Sequence, residues 1–348
     1  MGKGEIMVID CHAHHVVAPY NTKYLEWLKE TGDKKFGPFF LWSNPAFEDS
    51  QIRYQKMSEN GISCSLNTYS ANITQIIDVV GKNDRLDAVR NLNDRMISLC
   101  KESGGRWMTT ALVDLRLGKE ALKEILRCAE FVKGYSVLTS YQMDGRLCFL
   151  DDERFEPFWV EAEASGKPVF IHFSNLYKIN DPNAPLPGYM NDTLLYAGMG
   201  QLMEDAMCVA RLVLSGVFDR HPRLKIVIGQ LGGMYPFMLE RMEMLYTMYE
   251  RGASHAGLCV TDLTDPEHFL RNMKNYTENI YVDTHSMSVQ SVECAMKVLG
   301  QDKVLFGSDY PITPDSWGMK HAKKELEKLP QDLYEKVMWK NAQKLLDL

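Results

Sequence analysis

Glu5-Ile-Met-Val-Ile-Asp10-Cys-His12-Ala-His14-His15 is an apolar run that ends abruptly at two histidines one residue apart. Side chains alternate along a strand, so positions i and i+2 project to one face. The spacing therefore sets the imidazoles of His12 and His14 side by side, where they can grip one metal ion. Taken alone, a His-x-His pair is more often two polar residues where a strand meets a loop. Its place at the end of an N-terminal strand, and what recurs further along, give it weight.

The chain has 348 residues, 45% of them hydrophobic, which is ample for one large core. A single α/β barrel commonly runs past about 250 residues, so one domain over 1–348 is the expectation. The net charge of −7 and a pI near 5.8 argue against an extended basic surface for nucleic acid. No apolar run reaches the roughly 18 residues needed to span a bilayer, and no signal-peptide core is present, so no membrane partner is expected. Eight cysteines are scattered singly, without Cys-x-x-Cys, and read as reduced thiols of a cytoplasmic protein. The 20 methionines, as in Met234-Met238-Met242, sit at helical spacing and read as core.

After the first strand, residues 16–46 are aromatic-rich and punctuated by Pro19, Pro38 and Pro45. They read as an irregular inserted excursion over a site. A helix is expected over about 47–60, then a strand at Ile62-Ser-Cys-Ser-Leu-Asn-Thr. Helix 83–102 carries the stripe Val89, Leu92, Met96, Ile97 and Cys100. Strands at 107–113 and 131–138 bracket a helix at 118–130, and helix 155–165 leads to strand Val169-Phe-Ile-His172. A turn-rich connection and a helix over 192–217 precede the strand 224–230. Helices at 235–251 and 265–274, strand 279–283, helix 288–299, strand 303–309 and an amphipathic region from Lys320 complete the chain. Eight short strands alternating with helices predict a closed parallel (β/α)8 barrel, a TIM barrel, although a doubly wound sheet shows the same alternation.

Functional groups of such barrels gather at the C-terminal ends of the strands. Here strand one ends in His12 and His14, strand five in His172, strand six in Gln230, strand seven in Asp283 and His285, and strand eight in Asp309. Three imidazoles and a carboxylate suit zinc or another divalent ion, with a coordination place left open. His172 alone is more often a satisfied barrel histidine, and Asp309 before Tyr-Pro also reads as a turn cap. Their common strand-end position is what favours a metal site.

His12-Ala-His14, Gly166-Lys-Pro-Val-Phe-Ile-His172, Gly216-Val-Phe-Asp-Arg-His-Pro-Arg-Leu-Lys-Ile-Val and Leu305-Phe-Gly-Ser-Asp-Tyr-Pro311 resemble the amidohydrolase superfamily. More narrowly, they resemble its branch of decarboxylases typified by aminocarboxymuconate semialdehyde decarboxylase. The resemblance covers nearly the whole chain, with the motifs in the branch's order. It implies that His12, His14, His172 and Asp309 hold one divalent ion at the barrel mouth. It also implies that Arg53 binds a substrate carboxylate, for which a guanidinium offers a planar fork; the alternative is a helix-surface arginine.

One departure stands out. The branch usually carries an acid/base histidine after strand six, where this chain reads Ile228-Gly-Gln230-Leu-Gly-Gly233. A glutamine amide donates to an oxyanion but does not shuttle protons near neutral pH. His285 is then the nearest candidate acid, with a loop role as its alternative. His15 is a second, though its strand parity aims it away from the pair. The leading reading is a metal-dependent lyase that decarboxylates a small unsaturated or aromatic carboxylic acid, with zinc as the ion and manganese as the alternative. Asp309, His285 and Gln230 are its catalytic residues and Arg53 its substrate-binding residue. A hydrolase or hydratase using activated water, with Asp309 as base, is the runner-up. A homodimer is compatible with the composition.

Overall fold

The computed structural model describes residues 6–31, 43–82, 84–174, 195–250, 273–285 and 287–348, except for the side chains of 245–250. Eight parallel strands follow one another around a ring: β1 (Ile9–His14), β2 (Cys64–Thr68), β3 (Trp107–Thr109, resuming after Thr110 at Ala111–Leu112), β4 (Tyr135–Leu138), β5 (Val169–His172), β6 (Ile226–Ile228), β7 (Ile280–Asp283) and β8 (Val304–Leu305). Each pairs with the next in sequence. Thr110 marks the break within β3; its hydroxyl lies 2.6 Å from Ser136 Oγ on β4.

The ring closes between the last strand and the first. Cys11 N donates to Phe306 O at 2.8 Å, Asp309 N to His12 O at 2.7 Å and His14 N to Tyr310 O at 2.8 Å. Closure rules out the doubly wound alternative. The barrel interior is packed with Ile9, Cys11, Leu66, Met108, Phe170, Val227, Tyr281 and Leu305. From below, Ala342, Leu345 and Leu346 of the C-terminal helix join this cluster and seal it.

The outer helices form where a polar cap meets an apolar stripe. Helix α4 (Arg85–Glu102) begins on Asp84, whose side chain accepts from Asp87 N, and buries Ala88, Val89, Leu92, Met96 and Ile97. Helix α5 (Lys119–Cys128) buries Ala121, Ile125 and Cys128. Helix α7 (Gln201–Leu214) is shorter than the expected 192–217, because a π-helical turn occupies Tyr196–Gly200 and a separate short helix Val217–Arg220. Helix α8 spans Tyr235–Glu250. Most of the expected helix at 265–274 lies outside the described residues. No described helix is long and apolar enough to cross a membrane.

Residues 16–46 differ from the irregular excursion expected. Helix α1 (Tyr20–Thr31) buries Tyr20, Tyr24 and Leu28, an i, i+4, i+8 stripe, and packs on α3 (Ile73–Gly81), a helix the sequence reading passed over. Phe36, Phe39, Phe40 and Trp42 lie outside the described residues. A two-stranded hairpin, Ser140–Met143 with Arg146–Phe149, follows β4 and was also unforeseen. Its turn, Asp144-Gly145, carries positive φ at both residues, 51° and 75°, the pattern for which an Asp-Gly pair is the usual signal.

Candidate metal centre

Strict alternation along β1 does not bring its histidines to the mouth while also packing Ile9 and Cys11 inside. A register shift reconciles the two. Asp10 pairs with Ser65 but Ala13 pairs with Asn67, so β1 spends one extra residue at this bulge. Cys11 stays in the interior, and His12 and His14 converge, their Nε2 atoms 3.2 Å apart. Gly307 makes the crowding workable, since a Cβ there would sit 2.7 Å from His12 Cβ and 3.0 Å from Asp283 Cβ.

Each imidazole is oriented through its other nitrogen. His14 Nδ1 donates to Thr68 O at 3.1 Å and His172 Nδ1 to Phe173 O at 2.9 Å, which leaves their Nε2 lone pairs for a ligand. His12 Nδ1 pairs with Asp283 Oδ2 at 2.8 Å. Asp309 Oδ1 lies 3.0 Å from His14 Nε2 and 3.5 Å from His12 Nε2. All four side chains are buried, with ligand atoms within 4.8 Å of one another. The set fits a divalent ion. A tetrahedral zinc with nitrogen ligands near 2.0–2.1 Å separates them by about 3.3 Å, close to the spacing of the two Nε2 atoms.

The electrostatics agree. Burial opposes charge on His12, but Asp283 and then Asp309 outweigh it and hold its pKa well above the ordinary value. His172 is held well below by burial and by the neighbouring His14 and His12. For Asp309 burial works upward, yet His285, His12 and His14 keep it well below the usual carboxylate range. The carboxylates of Asp283 and Asp309 thus favour positive charge at this point.

Around these ligands stand the remaining expected residues. His285 Nε2 is 3.4 Å from Asp309 Oδ2, which also accepts from Thr313 Oγ1 at 2.8 Å. Burial lowers the pKa of His285 despite the pull of Asp309. Gln230 N donates to Asp283 Oδ1 at 3.3 Å, and its Nε2 reaches Gln201 Oε1 at 3.5 Å. Gln230, Leu231 and Asp309 hold φ of 54°, 56° and 57°, left-handed values that non-glycine residues keep where surrounding structure enforces them, commonly at functional sites. Asp283, to which the sequence reading gave no role, is the hub. Its two oxygens hold His12 Nδ1 and the backbone N–H groups of Gln230 and His285. Its strand-end position in Val282-Asp-Thr-His was the available signal.

Arg53 needs correcting. It is 1% exposed and sits behind β1, not at the mouth. Nη1 donates to His14 O at 3.0 Å and Tyr310 O at 2.7 Å, and Nη2 to Ser65 Oγ at 3.2 Å. Two backbone carbonyls thus hold Nη1, and the enclosed side chain braces the seam between β1 and Tyr310 instead of facing a substrate. Burial lowers its pKa to about 10, with Asp10 pulling the other way. His15 points away from the pair as parity requires, its ring 4.7 Å from that of Trp107. Its pKa is lowered to about 3, first by burial and then by Arg53.

Residues 9–348 match the amidohydrolase family. The chain belongs to that family. Among curated relatives, this amidohydrolase is 26% identical over 273 residues to gamma-resorcylate decarboxylase of a Rhizobium species, covering 75% of this chain and 76% of that one. It is 24% identical over 230 residues to 2-amino-3-carboxymuconate-6-semialdehyde decarboxylase of Dictyostelium discoideum, covering 66% and 58%. Its fold matches 5-carboxyvanillate decarboxylase from Novosphingobium aromaticivorans, solved with manganese and 4-hydroxy-3-methoxy-5-nitrobenzoic acid, at a TM-score of 0.78 with 20% identity, covering 100% of this amidohydrolase and 98% of that chain. Against 2,6-dihydroxybenzoate decarboxylase in complex with 2,6-dihydroxybenzoate the TM-score is 0.72, with 22% identity over 99% and 100% of the two chains. The barrel expected from the sequence is thus the family's fold.

Proposed function

We propose that this amidohydrolase is a metal-dependent lyase that releases carbon dioxide from a small hydroxylated aromatic or unsaturated carboxylic acid. One observation carries the reading: a buried three-histidine, one-aspartate cluster in a chain that aligns over three quarters of the length of relatives named as decarboxylases. When bound, a divalent ion supplies a Lewis acid that gathers substrate oxygens and stabilises negative charge as the carbon–carbon bond breaks.

The chain's own residues do the rest. His12, His14, His172 and Asp309 would hold the ion, and the carbonyls of Thr68 and Phe173 keep two of the rings in register. We assign His285 as the proton donor on its place at the mouth, with Nε2 3.4 Å from Asp309 Oδ2. That proton goes to the carbon which loses its carboxylate, and carbon dioxide departs. Gln230 offers its amide N–H to an oxygen that gains charge. We assign zinc on the strength of three imidazole donors; the same nitrogen and oxygen set accepts manganese, and elemental analysis of purified protein distinguishes them.

Several broader readings belong with this proposal. The match over 9–348 supports a single domain. Free thiols at Cys11, Cys64, Cys100, Cys128, Cys148, Cys208 and Cys294 support a cytoplasmic location. A homodimer is compatible with the composition, and sedimentation equilibrium checks it.

The test of the function is carbon dioxide release by metal-loaded protein from a panel of hydroxybenzoates and muconate-like acids. Gln230 favours one second reading, a hydrolase acting through activated water with Asp309 as base. Hydrolysis of lactones or amides without any carbon dioxide release would replace the first reading by the second.

A further inference from the structure

The turn after β6 presses against the first turn of α7. A Cβ on Gly233, whose φ is +61°, would lie 1.9 Å from Leu202 O, so only glycine fits there. Across this contact Gln201 Oε1 accepts from Gln230 Nε2 at 3.5 Å. One helical turn further along the same face is Asp205, 1% exposed. Neither of its carboxyl oxygens has a hydrogen-bond partner, and Gln230 Oε1 is also buried and unpartnered. Nothing in the metal centre uses Asp205. Orphaned buried acceptors are costly, and two acceptors do not satisfy one another unless one carries a proton.

The surroundings say which one does. Glu204 and Cys208 flank Asp205 on α7, with Asp283 on β7 and His12 on β1. Glu204 Oε1 accepts from Thr139 Oγ1 and from Ser174 N and Oγ, and Asp283 is paired with His12. Burial first, and then Glu204 and Asp283, push the Asp205 pKa well above the carboxylate range, while His12 pulls it back.

We propose that Asp205 is a carboxylic acid whose O–H donates a hydrogen bond to Gln230 Oε1, fixing the amide so that its second N–H faces the barrel mouth. Asp205 is thus a positioning residue that acts through Gln230. Together the two form an uncharged unit at the position where a proton-carrying histidine was expected from the sequence. The catalytic part of this inference rests on the decarboxylase reading; the protonation and the hydrogen bond do not.

Two measurements test it on the intact, metal-loaded protein. The first is steady-state decarboxylation by Asp205→Leu, Asp205→Asn and both combined with Gln230→Leu. Asp205→Leu should lower kcat roughly 10–100-fold with little change in KM, the worth of one buried hydrogen bond. Asp205→Asn, which supplies an N–H donor, should recover most of that loss, and with Gln230→Leu the two variants should become equal. The second is the infrared spectrum at neutral pH, in which a protonated carboxylic acid band should be present in the parent and absent from Asp205→Asn. A band unchanged by Asp205→Asn, or an asparagine variant as slow as the leucine one, overturns the proposal. The infrared result needs no turnover, so a protein that decarboxylates nothing would refute the function while leaving Asp205 to be judged by its band. Should Asp205→Leu fail to fold, the band and the asparagine rate decide.

Discussion

His12 Nδ1 and Asp283 Oδ2 are 2.8 Å apart in a fully buried carboxylate–imidazole pair. The pair joins the first strand to the seventh and sets which nitrogen of His12 faces the other ligands. Partners of this kind typically carry 10–100-fold of metal affinity. Asp283→Asn should therefore weaken binding of a divalent ion by about that factor, read by competition with a chromophoric chelator. Parent-like affinity would show that the orientation of His12 is set elsewhere.

Metal content should also depend on pH in a fixed direction. The ligands bind an ion as neutral imidazoles and an ionised carboxylate, and His12 has its pKa raised well above the ordinary value. Affinity should rise as pH climbs through that raised value and fall on acidification, as protons take the ion's place. Elemental analysis after dialysis at a series of pH values checks the sign, and chelation should remove activity with the metal.

His285→Asn should lower kcat roughly 10²–10⁴-fold, the usual worth of a general acid, while substrate affinity is largely kept. A parent-like kcat would leave Asp309 as the remaining titratable group at the mouth and shift preference to the hydrolase reading.

Arg53→Met should act on stability. It leaves the carbonyls of His14 and Tyr310 without their guanidinium donor. A loss of about 2–4 kcal/mol follows from abandoning several buried bonds to a charged group. Denaturant unfolding measures it. A raised KM with unchanged stability would return Arg53 to the substrate.

Glu124 supplies a separate test of linkage away from the site. It is fully buried and bonded to Asn93 Nδ2 at 2.8 Å and Arg127 Nη2 at 2.6 Å. Burial acts upward on its pKa, but Arg127 and Asn93 bring it below the ordinary 4.5. A depressed folded-state pKa contributes stability above the unfolded value, and that contribution is lost as pH falls through the folded value. Glu124→Gln should cost about 1–3 kcal/mol near neutrality, and the gap to the parent should close below about pH 4.5. A gap independent of pH would mean that charge is not what Glu124 contributes.

The barrel was legible because strand and helix periods alternate clearly, and the ligands because they share one position relative to their strands. Two kinds of information were not legible. The first is the extra residue in β1: strict alternation pairs His12 with Asp10, whereas Asp10 faces outward to Ser308 Oγ at 2.6 Å. A bulge has no residue signature here and is forced only by the demand to pack Cys11 while aiming His12. The second is the direction of long side chains. Arg53 lies on α2 (Ser50–Glu59) with arginine's full reach, and composition does not say whether the fork meets a ligand or a carbonyl. Asp205 was overlooked for a related reason. An acid inside an amphipathic helix reads as solvated until the neighbouring turn is known to cover it. The Asp144-Gly145 hairpin and the Tyr20, Tyr24, Leu28 stripe, by contrast, carried readable signals.

The hydrogen bonds that shut the ring run between residues 11–14 and 306–310, and the ligands His12, His14 and Asp309 lie within that same seam. Nearly the entire chain separates the two edges, so they meet only after the last strand has been made. An ion gripped across them works as a clasp. It finds a complete set of ligands only on a finished ring, and once there it resists the slow parting of first and last strands. Hydrogen exchange at the amides of Cys11 and His14 should then report metal loss before any other part of the barrel does.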